Sequence, residues 1–335
     1  MCCSIKSIAM PAESRDWRLT LPTGALIWAA IEALTALAGT WRGYGGRRFA
    51  IALGVAAALF AFELFMAAPG VLDSVRRSIR GRGPLLAPSV PLAAVVVYSI
   101  AVSGDALMAV AGAAYAVVPA LLLARSIGKA PGTWEDYAAA AVLWLPVQFH
   151  WMYRLFPYPV ELTHTLSILM ALATGAAAFV LVRRMEGVGY AIEWRRGFAW
   201  NFGFHYVIYA AIAIVLGLRI GFITFAPSLT RGVSLPIFVL GILLFTAWPE
   251  EFLFRGILQN MLTQTFGNER AGLVMASIIF GLSHLHHAPY PNWKYALMAT
   301  IAGLFYGRAW MKTRSLVPGT LVHAAIDISW HILFR

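Results

Sequence analysis

The sequence predicts an all-α, polytopic membrane helix bundle of about 11 transmembrane helices. Of the 335 residues, 60% are hydrophobic and only 12% are charged, whereas a soluble globular domain has about 25% charged residues. Apolar runs of about 18 or more residues recur along the chain, and each is long enough to cross a hydrocarbon core of about 30 Å as a helix. The sequence shows no alternating ten-residue strand pattern, which argues against a membrane β-barrel.

The apolar runs define the candidate spans in chain order. They cover residues 20–41, 49–69, 85–103, 105–124, 136–153, 164–182, 203–226, 234–254, 271–288, 295–311 and 316–334. The third and fourth runs are compatible with two helices or with a re-entrant pair, and Pro146 interrupts the fifth. We interpret the first run as a retained helix, although the segment ALTALAG leaves a cleaved signal peptide as an alternative.

The basic residues predict how the spans are oriented. The net charge is +11, but the basic residues lie in short loops between spans, so we interpret them as topology signals and expect no nucleic-acid partner. A cytoplasmic N-terminus places 17 of the 26 basic residues inside and 8 outside, with Arg255 counted separately. Together with the alanine-rich composition, this predicts a multi-pass protein of a prokaryotic inner membrane with its N-terminus in the cytoplasm. Arg42, Arg47 and Arg48 are the main opposing signal.

Cys2 and Cys3 are the only cysteines. Neither a disulfide framework nor an internal zinc-thiolate site can therefore form. The pair is interpreted as unmodified, with palmitoylation as the alternative.

A change of composition predicts two regions. Residues 184–200 gather charge, glycine and tryptophan, and all the strongly polar helix positions used below follow this segment. We predict an N-terminal multi-span region of unknown role over residues 1–190 and a functional core over residues 195–335.

The segment TAWPEEFLFRGILQ places two glutamates and an arginine in an apolar run. Glu251 and Arg255 are four residues apart, so on a helix they share a face and can pair. Glu250 is left free, and Pro249 removes a backbone donor beside it. Considered alone, the segment is equally compatible with a helix end whose charges are solvated.

Two further apolar runs carry polar residues. His284 lies within FGLSHLHH, and His323 and Asp327 lie one helical turn apart in the last run, facing in one direction. Under the predicted topology these residues and Glu250 have matching depths, near the cytoplasmic end of the eighth span. Gly303 and Gly307 form a GxxxG pattern that allows close helix contact. The sequence therefore predicts one polar pocket that opens to the cytoplasmic side.

Two kinds of chemistry suit this set. A carboxylate and an imidazole around one water form a general base that can return the proton to a leaving amine, and a second histidine can stabilise an oxyanion. Two histidines and a carboxylate also suit zinc with an open water position. A zinc site would use Glu250, His284, His323 and Asp327.

At these residues the chain resembles the CAAX protease and bacteriocin-processing enzyme family, which includes the Ras-converting enzyme. The family pattern is EExxxR, FxxxH and HxxxN or HxxxD on three separate membrane helices. Here the three motifs begin at Glu250, Phe280 and His323. The resemblance covers residues 195 to 335.

The resemblance implies an intramembrane endopeptidase that acts on a membrane-bound or lipidated protein or peptide in the lipid bilayer. Glu250 and His284 would activate water, Glu251 and Arg255 would support the site, and His323 and Asp327 would stabilise the oxyanion. It implies a glutamate-dependent enzyme, formerly classed as a metalloprotease, with no cofactor expected and zinc as the alternative. Asp327 replaces the asparagine of eukaryotic members, so it must be protonated, orient His323 or bind a metal.

Other polar residues carry weaker signals. Glu32 and Glu63 are single acids in early spans, which is compatible with a proton or ion path or with acids that face the bundle and pair with an arginine or serine. His286 and His287, with the loop that follows them, are interpreted as an interfacial anchor or as a gate to the site. A transporter or an immunity and interaction protein that uses the same polar pocket is the main alternative to an enzyme.

Overall fold

The described residues form an almost entirely helical bundle, which confirms the predicted fold class. The structure is a computed structural model that describes residues 17–228 and 235–335. Cys2 and Cys3 lie outside the described residues, so the interpretation of that pair stays a prediction.

The first half of the chain supplies eight α-helices. Their bounds are α1 Leu21–Trp41, α2 Gly46–Met66, α3 Pro69–Ser78, α4 Gly83–Leu86, α5 Ser89–Tyr98, α6 Ala106–Ala124, α7 Trp134–Gln148 and α8 Thr163–Gly175. A π-helical segment extends α5 to Ser103, and another extends α8 to Val182. The helix that contains α8 is the centre of the bundle, because 89% of the residues in its apolar stretch are buried, against 6% for α1.

The second half supplies seven α-helices. Their bounds are α9 Phe198–Arg219, α10 Leu235–Ile242, α11 Trp248–Glu251, α12 Asn260–Phe266, α13 Glu269–Leu282, α14 Trp293–Thr313 and α15 Leu316–Leu333. Two π-helical segments, Leu243–Ala247 and Phe252–Gln259, join α10, α11 and α12 without a break. The result is one continuous helical rod of 32 residues, Leu235–Phe266.

Eight helices of the described chain are long and apolar enough to cross a membrane. Of the eleven predicted spans, the other three correspond to α7, α13 and α14. Helices α7 and α13 have 15 and 14 residues, fewer than the roughly 17 that a span requires, and α14 contains three basic residues. The chain is an integral membrane protein with eight apolar helices, and α7, α13 and α14 are the three predicted spans that are not among these eight.

A non-helical segment, residues 183–197, connects the two halves. Its strand β2 (Glu193–Trp194) pairs antiparallel with β1 (Trp17–Arg18). The N–H of Ile192 donates to the carbonyl of Ala67 in the first half, and the side-chain amide of Asn260 donates to the carbonyl of Glu186. The composition change in the sequence therefore falls on a connection that contacts both halves.

Glycines allow α14 to approach its neighbours closely. A Cβ atom at Gly303 would lie 3.0 Å from Ser277 of α13, and one at Gly307 would lie 2.3 Å from the side-chain oxygen of Gln259. The amide of Gln259 in turn donates to the carbonyl of Gly307 at 3.3 Å. The GxxxG pattern of α14 therefore faces both α13 and the rod.

A buried ion pair holds the start of α7 to the end of the central helix. Arg183 Nε lies 2.8 Å from Asp136 Oδ1, and the two side chains are 4% and 0% exposed. The same carboxylate accepts hydrogen bonds from the hydroxyl of Ser126 and from the N–H of Gly132. Asp136 therefore has a structural role, because its carboxylate is occupied by these partners.

Candidate active site

The acidic pair lies inside the rod, between two stretches of π-helix. Glu250 and Glu251 belong to α11, with Leu243–Ala247 before them and Phe252–Gln259 after them. Pro249 has no backbone N–H to donate, and π-helical turns are frequent at functional sites. The local backbone is therefore irregular where the charged residues begin.

The helix that carries Glu250 does not end at residue 254, where the predicted span ends. The rod continues to Phe266 and ends at Gly267, which has a φ of +60°. Only a residue that tolerates a left-handed conformation ends a helix in this way, and glycine is the usual one. The side chains of Glu251 and Arg255 are 0% exposed within this rod, so the motif is not a solvated helix end.

Glu251 is the centre of a buried charge cluster. Its Oε2 lies 3.0 Å from Arg255 Nε, and its Oε1 lies 3.0 Å from His323 Nδ1. The side chains of Glu251 and Arg255 are 0% exposed and that of His323 is 4% exposed. The pair inferred from the i, i+4 spacing is present, and the last helix adds a third member to it.

Aromatic rings enclose the guanidinium of Arg255. Its central carbon lies 4.6 Å from the ring centroid of Phe280, 5.7 Å from that of Tyr306 and 5.9 Å from that of Phe254. Within about 6 Å of a ring face, a cation is attracted by the ring quadrupole. The positive charge is thus compensated by one carboxylate and by three rings.

His323 faces carboxylates with both ring nitrogens. Nδ1 contacts Glu251, while Nε2 lies 3.4 Å from Asp327 Oδ2 and 3.8 Å from Glu250 Oε2. The ring stacks on Tyr306, with centroids 4.6 Å apart and planes 15° from parallel. A neutral imidazole has only one N–H, so either His323 is an imidazolium or a proton is shared with the carboxylates at Nε2.

His284 lies in the turn just after α13 ends, and not within a helix as predicted. Its Nδ1 is 2.8 Å from the carbonyl oxygen of Phe280 and 3.2 Å from the hydroxyl of Ser283. A carbonyl only accepts, so Nδ1 carries the proton and the lone pair of Nε2 is available. The helix ends early because the apolar run is followed by the polar sequence SHLHH and by Pro289.

Glu250 is the most open carboxylate of the set. Its side chain is 33% exposed, compared with 26% for Asp327 and 0% for Glu251. Its Oε2 has no hydrogen-bond partner among the described residues. Two adjacent glutamates therefore have different environments, one sealed in a charge cluster and one open to a cavity.

Two cavities meet at Glu250. The first, of about 220 Å³, lies against α7 and α8 and includes Trp144, Gln148 and Ser167 in its wall. The second, of about 260 Å³, lies against α9, α14 and α15 and includes His323 and Asp327. Both cavities are lined by Thr246, Glu250, His284 and His287.

The structure thus brings together all six residues of the predicted site, with one gap. Within the described chain no hydrogen bond or ion pair joins Glu250 to His284, although both line the same two cavities. Sequence reasoning missed Tyr306, which stacks on His323, and Tyr295, whose ring centroid is 4.6 Å from that of His284. Neither tyrosine belongs to a polar motif, so no sequence signal identified them.

The residues do not form a metal-binding group as they stand. Among the described residues, no three or more His, Cys, Asp or Glu side chains are arranged to hold a metal ion. Nδ1 of His323 contacts Glu251 and Nδ1 of His284 contacts a carbonyl, which leaves Nε2 of each ring as the nitrogen that could bind a metal. Zinc binding by the predicted donor set therefore stays a prediction.

The weaker candidates lie away from the charge cluster or at its edge. Glu32 is partly exposed on α1, and Glu63 is 6% exposed at the end of α2. Neither lines the two cavities at Glu250, and Oε2 of each lacks the predicted arginine or serine partner in the described chain. His286 and His287 line the first cavity, where His286 contacts the side chain of Gln148.

Comparison with known proteins gives one family match. Residues 232–329 match the family model described as type II CAAX prenyl endopeptidase, Rce1-like. No curated protein and no solved structure matches the chain. The match covers less than a third of the chain but includes all six residues of the predicted site, and it confirms the resemblance read from the motifs. It supports a CAAX-type intramembrane protease in general, with a peptide substrate and a lipid-bilayer environment.

Proposed function

We propose that the protein is an intramembrane endopeptidase that hydrolyses a peptide bond of a membrane-associated or lipidated protein or peptide, with Glu250 as the general base. The observation that carries this proposal is the contrast between the two glutamates. Glu251 is buried with two partners, whereas Glu250 presents a carboxylate to two cavities that it shares with His284.

The proposed reaction begins with a water held between Glu250 and Nε2 of His284. Glu250 takes a proton from this water as the resulting hydroxide attacks the scissile carbonyl carbon. The protonated Glu250 then gives the proton to the departing amine as the C–N bond breaks. A positioned general acid–base group of this kind contributes about 10²- to 10⁴-fold in rate. The lone pair of Nε2 is free for this water because Nδ1 is held by the carbonyl of Phe280.

His323 supplies the proposed oxyanion contact. Its Nε2 is directed toward Glu250 and Asp327, so an N–H there can donate to a carbonyl oxygen that acquires negative charge in this space. Glu251 fixes the ring through Nδ1. Asp327 then acts by orienting His323 and not by donating to the oxyanion itself, which accounts for an aspartate at this position.

The two cavities accommodate the two sides of the scissile bond. The second cavity is lined by aromatic side chains of α9, α14 and α15 and suits an apolar or lipidated substrate segment. The first cavity has Gln148 and several histidines in its wall and suits a peptide backbone that needs hydrogen-bond partners. Glu250 and His284 stand where both segments would meet.

Comparison of protein termini in membranes tests the proposal. Cells carrying either the wild-type protein or Glu250→Gln are analysed by quantitative terminal proteomics, with Glu269→Gln as the matched control because Glu269 is a surface acid paired with Arg314. We expect new termini with the wild type and the control but not with Glu250→Gln. Identical termini in all three strains, with the protein folded, would favour the transporter or interaction hypothesis.

A metal-dependent reaction on the same residues is tested separately. The purified protein is treated with a strong chelator, its metal content is measured, and cleavage of the identified substrate is followed. We expect full activity without bound zinc, since no three His, Cys, Asp or Glu side chains of the described residues are arranged to hold a metal ion. Loss of activity that zinc restores would replace the general-base mechanism with a zinc-dependent one.

A further inference from the structure

A third cavity of the described chain lies against α2 and α15. It has a volume of about 150 Å³ and shares no lining residue with the cavities at Glu250. Its walls come from α2, from the first turns of α15 and from the rod where the π-helical segment meets α11, with Phe60, Leu243, Trp248 and Val317 among them. Almost the entire wall is hydrocarbon.

Two polar side chains interrupt this apolar wall. Glu63 is 6% exposed and Thr320 is 3% exposed, and both line the cavity. Within the described residues, Oε2 of Glu63 and the hydroxyl of Thr320 have no hydrogen-bond partner. Buried polar atoms in folded proteins are nearly always paired, and leaving them unpaired lowers stability. Two unpaired groups on residues that line one apolar space point to a ligand that completes them.

We propose that this cavity binds the head of a lipid alcohol. A hydroxyl has one donor and an acceptor, so it can donate to Glu63 Oε2 and accept from the hydroxyl of Thr320 at the same time. An ammonium group would bring a charge into a wall that is almost entirely hydrocarbon, at a desolvation cost that a hydroxyl does not have, and a carboxylate or phosphate would face another acid. A single hydroxyl is therefore the neutral head group that suits both unpaired atoms.

The size of the cavity sets how much of the lipid enters. Small-molecule pockets have volumes of about 300–1,000 Å³, so a cavity of about 150 Å³ holds the hydroxyl and the first carbons. The remaining chain leaves past Leu243, Leu244 and Leu321, which are partly exposed at the cavity edge. These side chains belong to membrane-spanning helices, so the chain continues into the bilayer.

The proposed lipid site adjoins the helix that carries Glu250 and Glu251. Lipid binding there does not depend on the proposed reaction. Trp248 in its wall is two residues before Glu250, and Thr320 follows Gly319, whose Cβ position is 3.2 Å from Glu251 Oε2. Binding is therefore measured on the full-length protein without any cleavage assay.

Photolabelling of the purified full-length protein in detergent tests the proposal. The probe is a long-chain primary alcohol with a diazirine beside the hydroxyl, and labelled peptides are identified by mass spectrometry. We expect labels on α2 and α15 that an unmodified alcohol removes and an alkane of equal length does not.

Thr320→Val should weaken labelling about 2- to 10-fold, the value of one hydrogen bond. Glu63→Leu should weaken it further, while Glu63→Gln, which keeps an accepting oxygen, should retain it.

Matched controls separate binding from folding. Glu32→Leu removes another unpaired membrane acid outside the cavity and should leave labelling unchanged. Val317→Phe should reduce labelling by narrowing the cavity without touching either polar group, and it decides the question with Thr320→Val if Glu63→Leu fails to fold. Unchanged labelling in Thr320→Val and Val317→Phe, or equal displacement by the alkane, would overturn the proposal. Stronger displacement by an alkylamine than by the alcohol would also overturn it, because the head group would then be a cation.

Discussion

The two adjacent glutamates show how environment separates residues of identical chemistry. We expect Glu250→Gln to lower the cleavage rate about 10²- to 10⁴-fold, the usual contribution of a general base, while the midpoint of thermal unfolding in detergent stays near that of the wild type. The reason is that Glu250 is partly exposed and its Oε2 has no hydrogen-bond partner among the described residues. Normal cleavage by a folded Glu250→Gln would remove Glu250 from the mechanism.

Glu251 should respond to the same change in the opposite manner. Glu251→Gln leaves the buried guanidinium of Arg255 without its carboxylate, and breaking a buried pair in this way typically costs about 3–5 kcal/mol. Arg255→Met should destabilise less, because Glu251 retains His323 as a partner. Unfolding free energies of the two variants, measured in one detergent, would contradict this if Arg255→Met were the more damaging.

Gly319 gives a way to disturb the charge cluster without changing any of its members. A Cβ atom there would lie 3.2 Å from Glu251 Oε2 and from the carbonyl oxygen of Tyr306. Gly319→Ala should therefore shift Glu251 and, through it, His323, and lower the cleavage rate at least about tenfold with little loss of fold. Gly203→Ala, where nothing lies within 4 Å, is the control, and an equal effect of both changes on rate would contradict the prediction.

At the residue scale, the sequence predicts contacts within one helix better than contacts between helices. The i, i+4 spacing predicted the pair of Glu251 and Arg255, and the order of the motifs predicted that His323 would join the same site. The stacking of Tyr306 on His323 and the enclosure of Arg255 by Phe280 depend on how separate helices pack. One sequence has no periodic signal for such contacts.

At the scale of elements, close packing of α14 makes a sharp prediction. Gly307→Ala would place a Cβ atom 2.3 Å from Gln259 Oε1 and 2.5 Å from Leu273, and overpacking of this kind costs about 1–3 kcal/mol. The control is Gly54→Ala on α2, which meets nothing within 4 Å and should be neutral or slightly stabilising. Thermal unfolding in detergent measures both changes, and equal midpoints would show that α14 can move aside.

Helix ends were predicted less well than helix positions. The run 203–226 ends as a helix at Arg219 because Gly221 adopts a φ of +62°, and the run 271–288 ends at Leu282. Apolar sequence continues past both ends, and hydropathy does not distinguish a helix from an apolar turn. The rod, in contrast, is longer than the predicted run 234–254. Its polar residues are buried by partners that lie far away in the sequence.

At the scale of the whole molecule, both halves of the chain build the candidate site. The six predicted site residues all follow residue 195, yet the first cavity is walled by Trp144 of α7 and Ser167 of α8. Gln148 of α7 also donates to the carbonyl of Ser283, next to His284. The sequence alone predicts no role for residues 1–190, because apolar helices that form the wall of a cavity carry no motif. Part of that region shapes the space where the proposed substrate lies.

The orientation of the whole bundle is a prediction from charge alone, and cysteine labelling tests it. In a Cys2→Ser, Cys3→Ser background, Gly43→Cys and Gly81→Cys introduce single thiols at two exposed turns where a side chain would meet nothing within 4 Å. Both glycines have a positive φ, so the two substitutions carry similar backbone strain and serve as matched controls for each other. With the N-terminus in the cytoplasm, a membrane-impermeant maleimide added to intact cells should label Cys at position 43 and not at position 81, and both should react after lysis.

The reverse pattern would place the arginine-rich segment of residues 76–82 outside. The polar pocket would then open away from the cytoplasm, so the proposed substrates would have to be sought among exported proteins.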